Sequence, residues 1–189
     1  SMLTILLNYK GNAAGERLDL LRREKYLEFD QKYISFSKTM IEGEKVPDTL
    51  KDEYDFFIAG SDIVWNPFYC TSVMFLQFAR KEQRVSYAAS FGVSELPASD
   101  LERYRTWLIS MNAVSVRESA GSRIVEKCVG MPAPVHVDPT FLISRERWEK
   151  IAQKPNWLQE ERYMLTYCLG DPPAKYHDDI QNICEEHRL

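Results

Sequence analysis

The chain has no run of basic residues. Its 24 Lys and Arg are interspersed with 28 Asp and Glu, giving a formal net charge of -4 at pH 7. Without a basic stripe there is no electrostatic footprint for a nucleic acid, so no nucleic-acid partner is expected. Cysteine is sparse and unpatterned: Cys70, Cys128, Cys168 and Cys184 show no CxxC spacing and lie in or beside apolar segments, where a thiol behaves as a small hydrophobe. They read as reduced thiols of a cytoplasmic protein. The histidines His136, His177 and His187 form no HExxH or other ligand spacing, so no metal site is expected. Long apolar runs are absent as well. Leu3 to Leu7 is too short for a signal-peptide core, Ser1-Met2 reads as the remnant of a cleaved tag, and no segment is expected to span a membrane. What remains is a globular chain of 189 residues whose 44% hydrophobic content is ample for a core.

Read in order, residues 8–15 (NYKGNAAG) are small, polar and Gly-rich, the composition of a linker. Leu18, Leu21, Tyr26, Leu27, Phe29, Tyr33 and Ile34 then recur at close to helical period, which predicts an amphipathic helix with an aromatic face to bury. A loop with Gly43 and Pro47 follows, with a short helical turn at Asp48 to Lys51. Tyr54 to Ala59 is an apolar run of strand length that ends at Gly60-Ser61-Asp62. Gly60 would allow a tight turn or close approach to a ligand, and Ser61 and Asp62 offer hydrogen-bonding and proton-accepting groups. Equally, Asp62 would cap a turn while Trp65 covers the edge of the core. Phe75 to Phe78 reads as a short strand or a helical turn. Arg84 to Phe91 reads as a strand with a small-residue end at Ala88-Ala89-Ser90 before Gly92, a place for a ligand or for tight packing. A helix with Ser99 as cap carries Leu101, Tyr104, Trp107, Leu108 and Met111 on one face.

The stretch at residues 112–127, NAVSVRESAGSRIVEK, joins a buried strand, Ala113 to Val116, to a helix capped by Ser119 with Ile124, Val125 and Cys128 as its apolar stripe. Arg117 and Glu118 therefore fall where a strand ends and a helix begins, the edge of an open α/β sheet at which ligands collect. A guanidinium there would make a bidentate clamp for a carboxylate or phosphate. The alternative is that Arg117 and Glu118 pair with each other or with neighbouring loops. Val135 to Val137 reads as the next strand, ending in Asp138-Pro139-Thr140, and a helix capped by Ser144 turns Trp148 and Ile151 inward. Polar residues 153–161 suggest a boundary, after which 162–169 and 174–187 read as a strand and a helix joined by Gly170 to Pro173.

Four blocks carry a family likeness: YDFFIAGSDIVWNP at 54–67, RVSYAASFGVSELP at 84–97, AVSVRESAG at 113–121 and VHVDPTFLISRERWEKIA at 135–152. In this order they resemble the polysaccharide pyruvyl transferase family. The resemblance implies an α/β fold, a Rossmann-like parallel sheet with covering helices that is part of a two-domain architecture similar to glycosyltransferase B. It implies transfer of pyruvyl from phosphoenolpyruvate to a sugar hydroxyl, forming a ketal in cell-surface polysaccharide biosynthesis, with no cofactor beyond the donor and a saccharide as acceptor. Arg117 inherits the family's active-site arginine, and Glu118, Gly60, Ser61, Asp62 and Asp138 match family motif positions. Asp62 and Glu118 are the carboxylates that could assist the sugar hydroxyl, so they join Arg117 as catalytic candidates, while Ser90 and Gly92, at the small-residue end of their strand, join Gly60, Ser61 and Asp138 as substrate-binding ones.

Against that pattern, Ile63 stands where the family usually has Gln, the N-terminal strand is expected to be missing, and most of a second domain is not found. The division that follows is 1–53 as linker and amphipathic helix, 54–152 as an incomplete Rossmann-like domain, and 153–189 as a linker and the start of a second one. Such a chain is expected to be truncated at both ends, inactive unaided, and open to homo-oligomerisation through an uncovered sheet edge. A nucleotide-sugar glycosyltransferase-like enzyme and a non-catalytic binding or scaffold protein are the rival readings.

Overall fold

The structure is a computed structural model that describes residues 4–7, 13–155, 163–169 and 173–187. Ser1-Met2, residues 8–12 of the linker, 156–161 of the polar boundary and 170–172 of the last turn lie outside the described residues. The chain forms two compact units, Ser1–Phe36 with Gln153–Leu189, and Ser37–Ala152. Among the described residues no helix is long and apolar enough to cross a membrane.

In the first unit β1 (Thr4–Leu7) is followed by α1 (Ala13–Tyr33). An N-terminal strand is thus present, contrary to expectation. It pairs in parallel with β4 (Thr166–Leu169), in a register from Thr4 opposite Thr166 to Leu7 opposite Leu169. The sequence TILL is apolar and partly β-branched, but so short a segment reads as a strand only when its partner is known, and that partner comes from the far end of the chain. The late strand and α5 (Ala174–His187) therefore do not stand alone. The helix α1 also corrects the reading. It takes in Ala13 to Gly15, its apolar residues are not gathered on one stripe, and Tyr26, Leu27, Phe29 and Tyr33 are exposed.

The second unit is a mixed α/β arrangement with parallel pairing. Here β2 (Phe57–Ala59) lies parallel to β3 (Arg84–Ser86), with Ile58 opposite Val85. Parallel bridges extend the layer from Val85 to Ala113, from Ala89 to Val116, and from Val116 to Val135. The four expected strands thus lie side by side in sequence order, two of them reduced to bridges. The physical reason is visible in the ladder. The Ser115 amide donates to Ser86 Oγ and the Ala88 amide to Ser115 Oγ, both at 3.0 Å, so buried serine hydroxyls take places that main-chain groups would fill. Ala88, at φ 49°, bends the chain out of extended conformation at the same point.

Three helices flank the layer in sequence: α2 (Leu101–Ile109), α3 (Ser119–Val129) and α4 (Arg145–Ile151). Tyr104 and Leu108 of α2 and Ile124, Val125 and Cys128 of α3 are buried, the faces that the periodicity picks out. Their starts differ from expectation. Ser99 belongs to a 3-10 turn, Ala98–Asp100, and Asp100 is the N-cap of α2; Ser119 is already helical, and extended Glu118 is the N-cap of α3. Of the two readings of Phe75 to Phe78 the turn holds, since a 3-10 turn over Ser72–Phe75 runs on into it, and Trp148 is half-buried, donating from Nε1 to the Thr140 carbonyl at 3.1 Å. At the centre of the core Trp65 stacks on Phe75 with ring centroids 4.5 Å apart, and Tyr104 meets Phe75 edge-on at 5.3 Å. The polar atoms of these rings are satisfied: Trp65 Nε1 donates to the Met74 carbonyl and Tyr104 Oη to the Trp65 carbonyl.

Candidate active site

Val116 is fully buried and bridged to both neighbouring segments, so the residue after it emerges at a fixed point on the carboxyl edge of the layer. That residue is Arg117. Its own amide donates to the Ala89 carbonyl at 3.2 Å, which holds the backbone while the side chain reaches across the strand ends. The loop after β2 is fastened beside it, because the Ser90 amide donates to the Ser61 carbonyl at 2.9 Å and the Trp65 amide to the Ser90 carbonyl at 3.0 Å. The Gly60–Ser61 peptide in that loop is cis.

Three carboxylates surround the guanidinium. Arg117 Nη1 donates to Asp138 Oδ2 at 3.0 Å and lies 3.4 Å from Ser61 Oγ; Nη2 donates to Asp62 Oδ1 at 3.1 Å. Glu118 Oε2 is 3.9 Å from Nε, too far for a hydrogen bond but close enough for charge attraction. Burial alone would lower the pKa of Arg117, but hydrogen bonds to Asp138 and Asp62 outweigh it and raise the pKa, so the cation is secure. Asp138 is held well below the usual carboxylate range by the Thr140 amide first, then by the Ser61 and Thr140 hydroxyls and by Arg117. Its Oδ1 accepts from Thr140 N at 3.0 Å and Thr140 Oγ1 at 2.8 Å; its Oδ2 accepts from Ser61 Oγ at 2.7 Å as well as from Arg117.

The family model for polysaccharide pyruvyl transferase matches residues 4–187, from β1 to the end of α5. The chain belongs to the polysaccharide pyruvyl transferase family. No curated protein and no solved structure gives a match. Membership of this family implies a transferase with a saccharide acceptor.

Within this pyruvyl transferase family chain, the geometry sorts the residues singled out in the sequence. Arg117, Asp62, Glu118, Ser61 and Asp138 converge. Ser90 is buried, with its hydroxyl donating to Glu118 Oε1 at 3.2 Å and accepting from Gly92 N at 3.1 Å, so it supports the turn. Glu118 is anchored by the same turn, since Oε1 also accepts from the Phe91 amide at 2.9 Å. The two glycines serve close approach between loops. A Cβ on Gly60 would run into the Tyr87 carbonyl, and one on Gly92, at φ 63°, would sit 2.5 Å from Ile63 Cγ2. Ile63 itself has φ 32° and its carbonyl accepts from Tyr69 Oη at 2.6 Å. Thr140 was not singled out as a site residue. The signal for it was the Asp-Pro-Thr turn, in which an aspartate habitually bonds the backbone two residues on.

Cavities elsewhere have less to offer. One of about 440 Å³ lies among Asp52, Tyr54, Arg80 and Glu82, but its Arg80 is committed to Asp52 and the Lys51 carbonyl. Another of about 390 Å³, between Leu108, Met111, Val129 and Pro134, is lined by apolar side chains.

Proposed function

We propose that this chain transfers the pyruvyl group of phosphoenolpyruvate to a saccharide in cytoplasmic steps of cell-surface polysaccharide biosynthesis. The observation that carries the reading is Arg117 at the carboxyl edge of a parallel layer, ringed by Ser61, Asp62, Glu118 and Asp138. In the reaction a proton adds to the methylene carbon of the donor, one sugar hydroxyl attacks C2, and a second hydroxyl closes the ketal as phosphate departs. Phosphoenolpyruvate and a diol thus become a pyruvyl ketal and inorganic phosphate. The guanidinium meets the anionic donor and stabilises the leaving phosphate. Asp62, whose side chain is 82% exposed and is bonded to Arg117 Nη2, is the carboxylate assigned to take the proton of an incoming hydroxyl, and Glu118 holds the turn beside it. No cofactor beyond the donor is assigned. The parallel order of the segments at 57–59, 84–86, 113–116 and 135 supports a Rossmann-like reading of this unit within a glycosyltransferase B-like whole.

Thermal shift separates this reading from the nucleotide-sugar alternative. Phosphoenolpyruvate at about 100 times its dissociation constant would add about 2.7 kcal/mol to stability and raise Tm, and Arg117→Ala is expected to lose that shift while keeping the far-UV circular dichroism of the parent. Stabilisation by uridine nucleotides and not by phosphoenolpyruvate would sink the proposal. Phosphate release from phosphoenolpyruvate with a saccharide present, assayed on this chain alone, decides whether it turns over unaided.

A further inference from the structure

We infer that the two carboxylates bonded to Arg117 have opposite roles: Asp138 is a positioning residue that fixes the guanidinium, whereas Asp62 occupies the place of the ligand anion and vacates it when the donor binds. The inference rests on the reading of Arg117 as the donor's anion site and deepens it.

A carboxylate has room for about four hydrogen bonds. Asp138 uses all of them, on Ser61 Oγ, Arg117 Nη1, Thr140 N and Thr140 Oγ1. It is therefore unable to accept a further bond from a substrate hydroxyl, although the sequence placed it among the substrate-binding residues. One of its partners is the main chain of its own turn, so its position does not depend on Arg117. Removing it leaves Nη1 facing Ser61 Oγ alone, at 3.4 Å.

Asp62 differs in every respect. It makes one hydrogen bond, to Nη2 at 3.1 Å, and its side chain is 82% exposed. An ion pair so open to water contributes little and exchanges readily. The backbone on either side is fastened through the Ser61 carbonyl and the Trp65 amide, so the side chain can turn away without opening the loop. Geometrically, a carboxylate on Nη2 stands where the carboxylate or phosphate of a ligand would meet the outward edge of the guanidinium. Electrostatically, it adds a third negative charge around one cation and repels an arriving anion. Vacating the edge and removing the charge act in the same direction. Once displaced, Asp62 is free for the acceptor, so the donor binds before the sugar.

Isothermal titration of the full chain with phosphoenolpyruvate, and separately with inorganic phosphate, tests the assignment. Asp62→Ala is expected to bind both probes about twofold to fivefold more tightly than the parent, with an unchanged Tm when no ligand is present. Asp138→Asn is expected to bind them about tenfold more weakly or worse, because a charge-assisted anchor is lost. Should Asp138→Asn fail to fold, the Asp62→Ala result is sufficient by itself. Equal or weaker binding by Asp62→Ala overturns the inference while leaving Arg117 as an anion site. Failure of both parent and Asp62→Ala to bind either probe overturns the anion site itself, and the inference with it.

Discussion

Arg84 and Arg117 carry the same guanidinium into different company. Arg84 donates to the Ala79 carbonyl from Nε and Nη2, at 2.9 and 2.6 Å, and to the Gln77 carbonyl at 3.0 Å, and burial lowers its pKa. It is spent on neutral acceptors and ties a turn together. Arg117 is held by ionised ones, Asp138 and Asp62, the pairing on which its proposed role as an anion site rests. The clearest residue-scale consequence concerns Asp138. Its folded pKa lies below the unfolded value of about 3.9, so its interactions stabilise the fold above that pH and are lost as pH falls through the lower folded value. A carbon-13 titration is expected to find the Asp138 carboxyl still mostly ionised at pH about 3.9, and Ser61→Ala is expected to move its midpoint upward. An ordinary midpoint in the parent would contradict the four-bond geometry. The residues of this cluster were individually legible, since Arg117 and Asp62 follow strand-like runs. Their partnership was not. Ser61 and Asp138 are 77 residues apart, and nothing in either local sequence points to the other.

Elements were legible in proportion to their length and periodicity. The helices α2 and α3 were found with their buried faces, and Gly130 closes α3 at φ 82° with its amide donating to the Glu126 carbonyl at 2.8 Å. Their first residues were misread because Ser99 and Ser119 are good caps by type, while the chain supplies Asp100 and Glu118 by geometry. Strand lengths were overestimated for a comparable reason. Apolar content says where a segment lies, whereas Ser86, Ala88 and Ser115 decide where its ladder stops. The loop after β2 depends on a glycine for steric reasons. Gly60→Ala is expected to destabilise the protein by about 2 kcal/mol or more, because the added carbon meets the rigid Tyr87 carbonyl. Urea unfolding measures this, and a parent-like midpoint would show that the loop can shift.

At the scale of the whole molecule, the two compact units were the least legible feature, because the β1–β4 pairing joins the ends of the chain. The hydrophobic centre of the Ser37–Ala152 unit was more accessible to reading, and Trp65, placed at a core edge by the sequence, sits fully buried within it. Phe75 contacts the rings of Trp65, Tyr104 and Trp107. Its replacement by Ala is expected to cost about 3–5 kcal/mol in chemical unfolding, far more than any change at exposed Asp62.

Every segment of the parallel layer sends a residue or a backbone group to the cluster: Asp62 follows β2, Ser90 follows β3, Arg117 follows the third segment and Asp138 follows the fourth. Slippage in any one register would therefore dismantle the whole constellation at once. An anion bound at Arg117 as proposed would be a keystone whose occupancy reports the alignment of these four segments, and ligand capacity during refolding is expected to return only when the last of them has docked.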